Sequence, residues 1–301
     1  VEVGVQTTYE RINREMHRGH GVQASIDANR RLRDAAFKVG FHMMPGQPGM
    51  SERMVVEDFR QLFDDPAWRP DYLKIYPTLV VDDTVTYDMY RRGEFEPLSS
   101  ERAAEVVAEV MRALPRYVRL QRVQRDIPAD HIEAGVQKSN LRQLAWQVMD
   151  ERGWDCSCIR CREVGMNDAE PDTVELDTIE YEAAGGTEQF ISYEDFEQDL
   201  LVGFCRLRFP SQPTRRELQD AALVRELHVY GNEVGVGGAE GEDGSHQHQG
   251  YGRTLLREAE RRAREAGYRK LSVISGIGVR EYYREKLGYF QDGPYVSTYL
   301  E

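Results

Sequence analysis

The 301-residue sequence has no run of 18 apolar residues, which excludes a membrane-spanning helix. It opens on Val1-Glu-Val-Gly-Val5 with no basic region ahead of an apolar one, so no secretory leader is expected. That opening reads as a strand already under way, and preceding sequence is expected to be missing. Cysteine is scarce. The only four are Cys156, Cys158, Cys161 and Cys205. So few argue against a disulfide framework and for a reducing, cytoplasmic setting. Positive charge is absent over a long stretch: from Glu163 to Cys205 there is no Lys or Arg, against thirteen acids. This segment accounts for the net charge of −13, so overall acidity says little about whether the rest of the chain meets nucleic acid.

What is present divides into two patterns. In residues 1–139, strands alternate with helices, the signature of a parallel α/β sheet or barrel. Strands are expected at Val1–Gln6, Lys38–Met44, Tyr72–Tyr76 and Val118–Val123. Helices are expected over Thr8–Ala36 (broken near Gly19–Gly21), from the Ser51 cap to Phe63, and over Ser100–Ala113. Four strands are too few for a closed eight-stranded barrel and suit its second half. Their C-terminal ends carry Gln6-Thr7, His42-Met-Met-Pro45, Lys74-Ile-Tyr-Pro77 and Gln124-Arg-Asp126, polar and proline-bearing as a substrate-facing rim would be. Residues 140–165 read as a linking helix followed by the cysteines. From 166 to 301 the pattern turns to antiparallel strands, Thr173–Glu182, Glu188–Tyr193 and Leu200–Phe209, in an α+β domain.

Six features carry chemistry. Cys156-Ser-Cys-Ile-Arg-Cys161 places three thiols within six residues, a spacing for one tetrahedral Zn²⁺. His20, His42, His131 or water remain open as the fourth ligand. The stretch Gln247-His-Gln-Gly-Tyr-Gly-Arg253 opens a helix to about Ala266, whose Leu255, Leu256, Ala259 and Ala263 share one face. Free backbone N–H groups at such a helix start suit a pyrophosphate. Before it, Arg225–Gly231 alternates as a strand, with Glu226 and His228 as candidates for a base or a water-orienting group. Tyr282 and Tyr283, expected on a helix after strand Lys270–Ile274, could protonate a leaving thiolate or position a thioester. Lys74, at a strand end, suits a carboxylate, phosphate or nucleic-acid backbone. Arg112, Arg116, Arg119, Arg122 and Arg125 form a basic run mixed with Tyr117, which suits RNA as well as a solvated helix face.

Taken in order, His42-Met-Met-Pro45, Leu73–Leu79, Val123–Pro128, Asn140-Leu-Arg142, Cys156–Gly165, Arg225–Gly231, Gln247–Gly252, Val273–Gly276, Tyr282-Tyr-Arg284 and Gly293-Pro-Tyr295 resemble one family. It is the catalytic subunit of Elongator with its single-chain archaeal and bacterial relatives, and the resemblance covers nearly the whole sequence. It implies a radical S-adenosylmethionine (SAM) barrel, here its C-terminal half, followed by a GNAT-like acetyltransferase domain. It implies formation of 5-carboxymethyluridine at the tRNA wobble position from acetyl-CoA, with SAM and a [4Fe–4S] cluster in the full-length enzyme. It implies that Gln247, His248, Gly250, Tyr251, Gly252 and Arg253 surround the CoA pyrophosphate. Tyr282 and Tyr283 would lie by the acetyl group, Lys74 would face the cleft, and the Cys156–Cys161 triplet would stand at the family's zinc position. The family's cluster triplet, in a loop after the first barrel strand, has no counterpart before Cys156. This chain is therefore expected to bind acetyl-CoA without cleaving SAM. Gly46-Gln47 departs from the acidic or amide residue and Leu that relatives carry there. A stand-alone N-acetyltransferase acting on a lysine or small amine is the competing expectation, followed by a CoA- or tRNA-binding module. The rim motifs and the arginine run favour the tRNA enzyme. Homo-oligomers or Elongator-type accessory subunits are possible partners; no membrane is.

Overall fold

The computed structural model describes residues 1–123, 127–167, 169–230 and 250–301. The chain divides into two compact units. The first comprises residues 1–29 and 39–160, the second 30–38 and 161–301.

The first unit is built on a parallel sheet of β1 (Glu2–Gln6), β2 (Gly40–Met43), β3 (Tyr72–Ile75) and β5 (Arg119–Val123), in the order β1-β2-β3-β5. Alternation divides its residues cleanly. Val5, Phe41, Met43, Leu73, Ile75 and Leu120 share the buried face, each at most 1% exposed. Glu2, His42 and Lys74 therefore point the other way. Gly40 also lies on that side, and a Cβ there would fall 2.0 Å from the Tyr72 ring, so only glycine fits beneath it. Helices α3 (Glu52–Asp64) and α5 (Ser100–Ala113) start at the expected serines: Ser51 Oγ accepts from Met54 N–H and Ser99 Oγ from Arg102 N–H. The helix expected over Thr8–Ala36 is two, α1 (Glu10–Glu15) and α2 (Val22–Asp34), parted near Gly19. A short antiparallel pair, β4 (Val80–Val81) and β6 (Ile132–Ala134), and helix α4 (Val85–Arg91) complete the connections. Helix α6 (Leu141–Glu151) packs along α5. Residues 140–160 thus belong to the first unit rather than forming a linker, because Leu141, Ala145 and Met149 are buried in it. The turn of α7 (Ile159–Arg162) follows.

The second unit is a seven-stranded sheet. Its strands are β7 (Glu175–Ala183), β8 (Gly186–Asp195), β9 (Leu200–Phe209), β10 (Ala221–Val229), β11 (Lys270–Val273), β12 (Phe290–Asp292) and β13 (Tyr295–Tyr299), in the order β12-β13-β11-β10-β9-β8-β7. Every neighbouring pair is antiparallel except β10 and β11. One face is apolar and takes helix α8 (Tyr251–Glu265), whose Leu255, Leu256, Ala259 and Ala263 are buried as their spacing requires. The other face holds charge. Glu188 accepts from Arg33 Nη1 at 3.0 Å, Arg208 Nη1 at 3.0 Å and Arg225 Nη2 at 2.9 Å, all four side chains at most 1% exposed. Asp34 accepts from Arg208 Nε at 2.8 Å and Ser211 Oγ at 2.9 Å. These bonds explain why residues 30–38, far away in sequence, belong to this unit and not to the α/β half. Buried charges persist only when paired, and these pairs fix the segment in place.

Candidate functional site

Strand β10 organises the site. It runs parallel to β11 only from Ala221 to Val224, and Ile274 N–H to Val224 O at 3.3 Å is the last bond between them. At Arg225 the register against β9 shifts by one residue, a bulge that re-aims the side chains from Glu226 onward. From Glu226 to Val229, β10 pairs with β9 alone. The sheet therefore opens between the end of β10 and the chain after β11, and both faces reach that opening. Helix α8 begins beside it. Its cap is Gly250, in the left-handed region at φ 79°, which a Cβ would strain. Gly252, in the first turn, faces Val229, where an added Cβ would sit 3.7 Å from a methyl. Tyr251 lies against Tyr193, ring centroids 4.7 Å apart, and Arg253 is exposed. Gln247 and His248 lie outside the described residues.

The two tyrosines differ sharply. Tyr283 is buried in the α8-side core with Cys205, and burial, with the neighbouring Cys205 and Tyr282, raises its hydroxyl well above the usual tyrosine range. It stays neutral. Tyr282 is 38% exposed, its ring edge-on to Tyr283 at 6.1 Å. The pair sits on a π-helical turn, Tyr282–Lys286, in place of the expected α-helix; such turns recur at functional sites. Cys205 is fully buried, its thiol pushed up to about 12 by burial, and is inert as a nucleophile.

Glu226 and His228 lie on the opposite face of β10 from Leu227, and so from the core that holds Tyr283. Glu226 accepts from Lys38 Nζ at 2.5 Å and Arg206 Nε at 2.9 Å. Burial opposes its ionisation, but the two cations outweigh burial and hold its carboxyl below the ordinary range. A carboxylate so paired is a weak proton acceptor. His228 is exposed, its ring 4.3 Å from that of Tyr230. Lys38 and Arg206 are the functional neighbours that sequence reasoning missed. Register could have flagged Arg206, but nothing local could flag Lys38.

In the first unit, Lys74 is held by Glu2, which also accepts from His42 at 2.7 Å. Lys74 and His42 together hold the Glu2 carboxyl below its ordinary range despite some burial. Arg122 stands opposite Lys74 on β5 and Arg119 opposite Tyr72. Arg112, at the end of α5, lies over the Trp154 ring at 4.7 Å. Arg116 lies in the connection between them, and Arg125 falls outside the described residues. The arginines are thus distributed over a helix end, a connection and a strand, not along one helix face.

Cys156, Cys158 and Cys161 bring their sulfurs within 4.8 Å of one another, and none is in a disulfide. With Zn–S near ~2.3 Å, tetrahedral geometry asks for sulfurs about 3.8 Å apart, so three converging thiolates fit zinc. Among the described residues no histidine or carboxylate joins them, so His20, His42 and His131 do not supply a fourth ligand in this arrangement. No helix of the described residues is long and apolar enough to cross a membrane.

A half-barrel with a polar rim joined to a splayed acyltransferase sheet defines the class. Residues 70–151 match the Radical_SAM C-terminal domain family, and residues 157–289 the acetyltransferase (GNAT) family. The solved structure of Methanocaldococcus infernus Elp3 with an N-terminal deletion superimposes with a TM-score of 0.93 at 47% identity, covering 100% of this chain and 72% of that one. The chain belongs to the Elongator complex protein 3 (Elp3) family. It is 47% identical over 311 residues to the tRNA uridine(34) acetyltransferase of Methanocaldococcus jannaschii, and 43% identical over 308 residues to Elongator complex protein 3 of Schizosaccharomyces pombe. All of this chain is covered in both, but only 57% and 56% of those proteins, so it spans a little over half their length.

Proposed function

We propose that this chain is the acetyl-CoA-handling part of a tRNA-modifying enzyme that builds 5-carboxymethyluridine at the wobble position. The observation that carries the reading is the opening between β10 and β11 with the start of α8 beside it. A thioester threaded through that opening brings its acyl carbon to the gap while the pyrophosphate meets the α8 N-terminus. Gly250, Tyr251, Gly252 and Arg253, with Gln247 and His248, cradle the phosphates. Tyr283 donates a hydrogen bond to the thioester, and Tyr282, at the surface, releases or positions the thiol. Glu226, anionic between Lys38 and Arg206, orients water or His228 rather than taking a proton itself. The half-length match to relatives named for tRNA uridine(34) supports tRNA as the second substrate, with Lys74 and the arginines Arg112, Arg116, Arg119, Arg122 and Arg125 meeting its backbone.

Zinc, held by Cys156, Cys158 and Cys161, supplies a structural clip. In a full-length enzyme, SAM and a [4Fe–4S] cluster would supply radical chemistry. The four cysteines here do not fit a cluster: three sulfurs lie within 4.8 Å of one another, closer than thiolates bound to separate irons stand, and Cys205 is buried in the sheet. No radical step is assigned to these residues, and the chain alone is inactive in it.

Gly252→Asp tests the reading. It places a carboxylate at the anion end of α8, where there is room for the side chain's first atom. Calorimetry should show acetyl-CoA affinity falling by about tenfold or more. Unchanged affinity would place the pyrophosphate elsewhere.

A further inference from the structure

The first unit carries a cavity that the acetyl-CoA site does not use. A groove of about 480 Å³ lies between α3 and α5. Its walls are Phe59, Phe63, Val110 and the ring of Trp154, with Arg60, Glu109 and Arg112 among its polar side chains. Trp154 is anchored by its backbone N–H to Met149 O at 2.8 Å. Arg112 and Arg152 both lie over that ring, at 4.7 and 4.9 Å from its centroid. Arg152 has the Glu105 carboxylate 3.9 Å away, whereas Arg112 has no carboxylate partner among the described residues. The nearest carboxylate to Arg60 is that of Glu57, at 3.9 Å. The groove thus combines aromatic walls, two weakly balanced guanidinium groups and one carboxylate.

We propose that this groove binds a single nucleotide of an unpaired RNA segment. The base would meet Phe63 and the ring edge of Trp154, its exocyclic amine donating to Glu109, and the phosphate would meet Arg60 and Arg112. Unpaired bases are recognised by aromatic and guanidinium surfaces, and phosphates by arginine. An apolar cavity with a few convergent polar groups is the form a ligand site takes. A plain anion would leave the aromatic walls unused, and a purely apolar side chain would cover Arg112 without a counter-charge. The inference rests on the tRNA reading above and deepens it, sharing Arg112 with it and naming the groove and the unpaired nucleotide that Arg112 would serve.

The test is titration of the purified chain with CMP, GMP, AMP and UMP, followed by tryptophan emission. Trp68 is buried and Trp146 lies outside the groove, so Trp154→Phe identifies the signal. Saturable quenching is expected with Kd on the order of 0.1–1 mM, as suits one nucleotide. CMP and GMP should bind more tightly than UMP, which has no exocyclic amine, and Glu109→Gln should narrow that difference. Arg112→Gln should weaken binding about tenfold, and cytidine without its phosphate should bind as weakly as CMP does to that variant. Unlabelled tRNA should compete with CMP if RNA is the source; competition absent, with CMP binding intact, would make a free nucleotide the ligand. No saturable quenching, or quenching unaltered by Arg112→Gln, overturns the proposal. So does quenching by an acetylated Phe-Glu dipeptide amide but not by nucleotides, which would make the groove a protein-docking site. Should Trp154→Phe fail to fold, Arg112→Gln, exposed and on the helix end, gives the same decision. Nucleotide binding requires no acetyl-CoA, so its failure and failure of the acetyl-CoA reading are separately visible.

Discussion

At the residue scale, paired charge decides more than any single catalytic candidate. Glu188 is surrounded by Arg33, Arg208 and Arg225, all buried. Removing it takes away the carboxylate that Arg33, Arg208 and Arg225 share, while Asp34 still pairs with Arg208. Glu188→Ala should therefore lower unfolding stability by about 3–5 kcal/mol, read from urea denaturation with the slope unchanged. A loss of under about 1 kcal/mol would mean that water reaches the cluster. The same logic recasts Glu226. Read from sequence it is a candidate base; in the fold, Lys38 and Arg206 hold its proton affinity down. Lys38 was not legible because a lysine at the start of a strand reads as solvent-facing, and its partner lies 188 residues away. A single sequence records no such pairing.

At the scale of elements, legibility followed local rules. The Ser51 and Ser99 caps and the buried stripe of α8 depend on residues three or four apart, and the structure has them. Strands β12 and β13 were not read, because β12 is only Phe-Gln-Asp and β13 is Tyr-Val-Ser-Thr-Tyr, short runs without an apolar alternation. The turn bearing Tyr282 and Tyr283 has helical composition, but it winds as a π-helix, with Tyr283 packed against Tyr289 at 5.6 Å between ring centroids, a packing detail that propensity does not carry. The cysteine turn was legible as a donor set but not as a complete site. If the three thiolates hold zinc, the purified chain should contain about one equivalent by elemental analysis, and Cys158→Ser should lose most of it and unfold at lower temperature. A full zinc complement in the variant would contradict the assignment.

At the scale of the whole molecule, the order of α/β half and splayed sheet was legible from the switch between alternating strand–helix and antiparallel patterns. The exchange of residues 30–38 into the second unit was not, since it is fixed by long-range contacts: buried ion pairs, Ala36 packed with Leu218, Leu223 and Tyr295, and the Tyr295 hydroxyl donating to Ala35 O at 3.0 Å. The proposed chemistry follows the same division: the opening proposed for acetyl-CoA lies in the second unit, whereas the tRNA-facing proposal rests on the first. The most direct measurement is the rate of acetyl-CoA hydrolysis by this chain with and without tRNA, in parallel with a lysine peptide. The account predicts a rate raised several-fold by tRNA, an increase that fades as salt rises, and no acetylated peptide. Hydrolysis indifferent to tRNA, together with acetylation of the peptide, would contradict it and make the chain an ordinary N-acetyltransferase.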